Sequence, residues 1–146
     1  MSGASHDSQM LSREQAEGLL ARHDIVPTEQ RVQIARLLFG RHQHLSAEQI
    51  LLRLGGMDVP VSKATVYNTL KLFADTGLVR EVIVDSTRRF YDSNPDPHHH
   101  LFHTDSGRLE DVAAARVQIA GLPGLSSALE ILGVDVVIRV APRKPS

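Results

Sequence analysis

The 146-residue chain contains no cysteine and no tryptophan, and only two tyrosines and four phenylalanines. The first absence excludes disulfides, a thiol nucleophile and any thiolate-bound zinc, so a bound metal has to be held by nitrogen and oxygen. An excess of charge of one sign is missing too. Sixteen basic against 17 acidic side chains leave a formal net charge of −1, so any nucleic-acid face has to be local. No apolar run approaches the roughly 20 residues of a membrane span, and "MSGASHDSQM" lacks the charged start and apolar stretch of a secretory signal. These absences predict a cytoplasmic protein with no membrane partner.

What is present is a series of helix signals. Ser12 and Gln15 form a capping-box pair ahead of Ala16, Leu19 and Leu20, predicting a helix that runs to Arg22. Thr28 caps a second, with Val32, Ile34, Ala35, Leu37, Leu38 and Phe39 on one broad face and Gly40 as its stop. Ser46 and Gln49 repeat the box for a third, which the paired glycines Gly55 and Gly56 are expected to end. Ser62 caps a fourth helix with Val66, Leu70 and Phe73 inward and Gly77 at the C′ position. Its other face carries Lys63, Thr65, Tyr67, Asn68 and Lys71, with no acid before Asp75. "LVREVIVD" and "RRFYD" follow as two strands around a turn at Asp85.

Helices followed by a two-stranded wing describe a winged helix-turn-helix whose fourth helix reads the major groove. The Pro-rich stretch "SNPDP" predicts a linker at 93–97, between a DNA-binding domain at 1–92 and a second domain at 98–146. The second domain reads as strands around one short helix, and "VDVVIRV" as a buried strand. The fold class is therefore α/β, an N-terminal winged helix-turn-helix followed by a small α+β domain. About fifty residues make a small core, which pairing with a second copy would help to bury.

"HHHLFHTDSG" concentrates four of the eight histidines, His98, His99, His100 and His103, in six positions. In an extended segment His98 and His100 project to one side and His99 to the other. Imidazole with carboxylate suits Mn(II), Fe(II) and Zn(II), and Asp92 and Asp111 flank the tract, with His44 a further candidate. A metal site, a haem-binding tract and a solvated polar loop all remain open at this level.

"ATVYNTLKLFADTGLVREV", with the order of the helices and the His-rich exit from the wing, resembles the ferric uptake regulator family of metal-responsive bacterial repressors, over roughly Thr28 to Asp111. "PTEQRVQIARLLF" and "HLSAEQI" look closest to its iron response regulator branch. The resemblance implies a homodimer that binds double-stranded operator DNA, with one regulatory Fe(II) or Mn(II) site made by His44, Asp92, His98, His100 and Asp111. Three His and two Asp is the pattern of the peroxide regulator branch, in which iron-dependent oxidation of a ligand His ends repression. The same resemblance implies DNA contacts from Arg31, Ser62, Lys63, Thr65, Tyr67, Asn68 and Lys71.

The chain departs from the family in several places. His103 and Ser106 stand where the first Cys-x-x-Cys of a structural zinc site occurs, and the second pair is absent, so no four-cysteine zinc is expected. Asn68 stands where many members have Arg, Val26 replaces a frequent minor-groove cation, and Glu29 adds negative charge nearby. Haem held by His98, His99 and His100 is the alternative signal. A mononuclear iron enzyme and a metal-independent DNA-binding protein are the remaining readings.

Overall fold

The computed structural model describes residues 10–145. The first nine residues, read above as carrying no secretory signal, lie outside that range. The chain divides into two compact units, the first ending at Pro95 and the second beginning at Asp96.

The first unit runs α1 (Arg13–Arg22), α2 (Glu29–Leu38), β1 (His44–Leu45), α3 (Ala47–Gly56), α4 (Lys63–Asp75), β2 (Arg80–Ile83) and β3 (Arg89–Asp92). Each helix begins where a hydroxyl side chain accepts from the N3 amide: Ser12, Thr28, Ser46 and Ser62. Gln15 and Gln49 close full capping boxes by accepting from the N-cap amides at 2.8 Å. The inward faces meet in one core, with Leu20, Ile34, Leu38, Ile50, Leu54, Leu70 and Phe73 all fully buried.

α4 ends in a Schellman turn. Gly77 takes φ +82, its amide bonds to Ala74 O, and the Leu78 amide bonds to Phe73 O at 2.9 Å. Leu78 is thereby withdrawn from the strand expected to start there, and β2 begins at Arg80. The wing turn is an Asx-turn: Asp85 Oδ1 accepts from the amides of Thr87 and Arg88, both at 2.9 Å. α3 ends at the second of the paired glycines, Gly56, as expected, and Asp58, at φ 55, takes the left-handed position beyond it. The sheet has order β1-β3-β2, antiparallel throughout, so a third strand joins the predicted two-stranded wing.

The second unit is a three-stranded sheet of order β5-β4-β6, with β4 (His98–His103), β5 (Leu109–Ala113) and β6 (Val137–Val140). β4 and β5 form an antiparallel hairpin, and β6 runs parallel to β4. Two expectations fail here. The run "VDVVIRV" supplies an edge strand with Ile138 40% exposed, not a buried one. Residues 117–136 form neither the short helix nor the further strands; the only helical piece described beyond β5 is the 3-10 turn Ala114–Arg116. The physical reason is that isolated short helices need an apolar surface to pack on, and here Leu129 and Leu132 are 63% and 92% exposed. Gly121, Pro123, Gly124 and Gly133 interrupt the segment further. No helix among the described residues is long and apolar enough to cross a membrane.

Candidate metal centre and nucleic-acid face

The β4–β5 ladder builds a donor cluster from purely local rules. Alternation places His98 and His100 on one face of β4, and the hairpin register sets His100 directly opposite Asp111. His98 Nε2 and His100 Nε2 each lie 3.6 Å from the same oxygen, Asp111 Oδ1, and the two rings meet edge-on with centroids 4.7 Å apart. Two ligands each about 2.1 Å from one divalent ion sit about 3 to 3.5 Å apart, so little adjustment would bring all three onto an ion.

The orientation of His98 suits the same use. Its Nδ1 donates to the Asp96 carbonyl, a partner that fixes the ring, and its Nε2 faces Asp111. Both His side chains are almost fully buried, whereas that of Asp111 is 42% exposed, which opens one side of the cluster to arriving ions. His99 points the other way and its Nδ1 accepts the Val136 amide at 3.2 Å, holding the segment that leads into β6. The three-histidine tract is therefore divided between two faces of the sheet. His103 joins Glu110, which also takes Arg108 Nη2 at 2.9 Å; its place in the fold is a polar clasp across the hairpin. The Glu110 carboxyl is held below its ordinary range, chiefly by the His103 hydrogen bond.

In the first unit, β1 and β3 place His44 and Asp92 opposite each other as Cα partners. Directly opposed antiparallel residues share a face with Cβ atoms about 4.5 to 5.5 Å apart. Asp92 is buried, and its Oδ1 accepts the Asn94 amide at 2.9 Å. The neighbours of this pair were not singled out from the sequence. Gln43 Nε2 donates to the C-terminal carbonyls of α2, Leu37 O at 2.9 Å and Leu38 O at 3.1 Å. The Gln43 amide in turn donates to Ser93 Oγ at 3.1 Å, and the Ser93 amide to Gln43 O at 2.9 Å. Gln43 and Ser93 thus brace the residues beside His44 and Asp92 against the end of α2. Only their placement next to two candidate ligands in the sequence hinted at it.

The DNA-facing candidates separate into two margins of α4. Arg31, Thr65 and Asn68 line one groove of about 350 Å3 with Thr28, Gln30, Thr69 and Leu72. Ser62 is occupied as the N-cap: its Oγ accepts the Thr65 amide and donates to Thr65 Oγ1. Arg31 Nη1 donates to the Val26 carbonyl at 3.0 Å. On the other margin, Lys63 Nζ lies 5.8 Å from the centroid of the Tyr67 ring, Tyr67 donates to Glu48 of α3, and Lys71 pairs with Asp75 at 2.9 Å. Glu29, whose charge stands near the α2 end of this face, is held by Arg13 through two bonds of 2.9 and 2.7 Å. Those bonds, with Gln33, bring its carboxyl down to about 2.

Known proteins resemble this chain in sequence and in fold. The model of the ferric uptake regulator family matches residues 24–121. The chain is 32% identical over 129 residues to the ferric uptake regulation protein of Rhizobium leguminosarum bv. viciae, covering 82% of this chain and 91% of that protein. It is 33% identical over 84 residues to the peroxide-responsive repressor PerR of Staphylococcus epidermidis, a match spanning 58% of this chain and about half, 56%, of the relative. Among solved structures, the ferric uptake regulator of Pseudomonas aeruginosa with manganese shares the fold at a TM-score of 0.68 and 23% identity, over 88% of this chain and 98% of that one. The chain belongs to the ferric uptake regulator family, whose members are transcription regulators and not enzymes.

Proposed function

We propose that this regulator is a homodimeric, metal-responsive repressor of iron homeostasis or of the peroxide response, with Fe(II) or Mn(II) as its corepressing ion and operator DNA as its target. The observation that carries the reading is the convergence of His98 Nε2 and His100 Nε2 on one oxygen of Asp111. His44 and Asp92, paired across β1 and β3, complete the ligand set from the first unit. Metal binding would set the spacing of the two α4 helices of a dimer over successive major grooves. Five mixed nitrogen and oxygen donors accept Zn(II) as well, so the ion found in purified protein follows availability. Fe(II) held by these residues would supply a reductant for peroxide that Mn(II) would not, and a ligand imidazole would be the group exposed to the oxidation.

A second copy of the chain covers the second unit. The support for this is the run of large apolar side chains from Ile119 to Ile138 that one chain leaves at least 40% exposed.

The test is DNA binding by the metal-stripped protein under anaerobic conditions, with Mn(II), with Fe(II), and with Fe(II) followed by a small dose of peroxide. The expected result is metal-supported binding in both cases and loss of the iron-supported binding alone after peroxide. Binding indifferent to metal contradicts the corepressor reading. Iron-supported binding that survives peroxide removes the peroxide signal and leaves iron status as the input.

A further inference from the structure

The Tyr67 hydroxyl has one proton, and it is already committed. Tyr67 Oη donates to Glu48 Oε1, a bond that ties the reading helix to the first turn of α3 across 19 residues of sequence. Lys63 Nζ stands 5.8 Å from the centroid of the same ring. The ring is thus held from two sides, by a carboxylate at its tip and a cation over its face. A phenol that has given its proton to a carboxylate offers only lone pairs to anything else that approaches. The charge of Glu48 makes this a stronger bond than one to a neutral acceptor. The carboxyl of Glu48 is lowered and the phenol of Tyr67 raised, each by that bond first.

Resting on the reading that α4 enters the major groove, we propose that Glu48 is a specificity-determining residue. It fixes Tyr67 as an acceptor-only group, although Glu48 itself belongs to α3 and not to the reading helix. In the major groove, adenine presents a donor at N6 beside an acceptor at N7, cytosine a donor at N4, thymine an acceptor at O4 beside its methyl group, and guanine only acceptors at N7 and O6. Tyr67 held in this way favours a donor edge at its hydroxyl, or a thymine methyl against its ring, and disfavours guanine. A freed hydroxyl would donate to guanine or to a phosphate, and the discrimination would fall. Glu48 also carries a negative charge toward the DNA, an effect that is independent of base sequence and so can be separated from the first.

The experiment uses the full chain with saturating Mn(II) and competition binding to operator fragments in which every position of one half-site carries each of the four bases. Wild type, Glu48→Ala, Tyr67→Phe and the double variant are compared. Glu48 is exposed and alanine is a good helix former, so the fold is retained. The expected outcome is a loss of about tenfold discrimination at one base pair in Glu48→Ala, the size of a single base-edge contact. The same position responds in Tyr67→Phe, and the double variant matches Tyr67→Phe alone. A Glu48→Ala profile parallel to wild type, shifted uniformly at all positions, overturns the proposal and leaves Glu48 as a plain electrostatic brake. Failure of wild type to bind any fragment with metal present overturns instead the DNA reading on which the proposal rests.

Discussion

The two units of this chain solve the problem of cohesion differently. The first buries an apolar interior contributed by four capped helices and β-residues such as Leu45 and Tyr91. The second buries Phe102 and Leu109 with three histidines, and leaves Leu129, Ile131 and Leu132 more than half exposed. A unit whose buried positions are largely imidazole holds polar groups that gain most when something is coordinated to them. On the proposed function, the difference bears on where regulation enters: the self-sufficient unit would present the DNA face, and the unit with the buried histidines would gain most from a metal and a partner.

The largest effect that separates the units comes from the core. Leu70→Ala removes a fully buried side chain beneath α4 and is expected to destabilise the first unit by about 2 to 5 kcal/mol. Denaturant unfolding followed by far-UV circular dichroism checks this, and Mn(II) affinity at the β4–β5 cluster should change far less. Equal losses in both would erase the distinction between the units.

A smaller effect is expected from the brace beside the first unit's ligands. Ser93→Ala removes the acceptor for the Gln43 amide and is expected to weaken Mn(II) binding about tenfold, in the range of orienting groups around metal ligands. Ser93→Thr, which keeps the hydroxyl, should restore it. Isothermal titration reads both, with the melting temperature of the metal-free protein as the control for a purely structural role.

The smallest effect concerns acid. Because Glu29 has its carboxyl lowered to about 2 from 4.5, the stability from its Arg13 and Gln33 bonds is fully present above 4.5 and is lost as pH falls toward 2. Glu29→Gln should remove that part of the acid dependence while leaving the neutral range nearly unchanged. The pair is exposed, so an unaltered acid transition in this variant would mean that solvent screens it completely.

How legible these features were depends on the range of the interactions behind them. The helices could be read because a hydroxyl three residues before a glutamine, or a glycine at a C′ position, acts within a single turn; Ser12, Ser46 and Gly77 behave accordingly. The facing of His98, His100 and Asp111 follows from strand alternation and one hairpin, which is also nearly local. β1 has two residues, too few to show a period, and it exists because β3 lies beside it. Gln43 with Ser93 and Glu48 with Tyr67 meet across 50 and 19 residues, with no pattern in the chain to announce them. Residues 117–136 misled for the opposite reason: their apolar content reads as helix and strand, but one chain provides no surface for it to pack on.

The most direct test of the account is hydrogen exchange of the metal-stripped protein with and without Mn(II), in wild type and in Asp111→Ala. The account predicts that metal slows exchange of the backbone amides of 98–113 in wild type, leaves the core amides of α2 and α4 unchanged, and has no effect on either region in the variant. Exchange in 98–113 that is indifferent to metal, or that slows equally in Asp111→Ala, would contradict the assignment of His98, His100 and Asp111 as the sensing cluster.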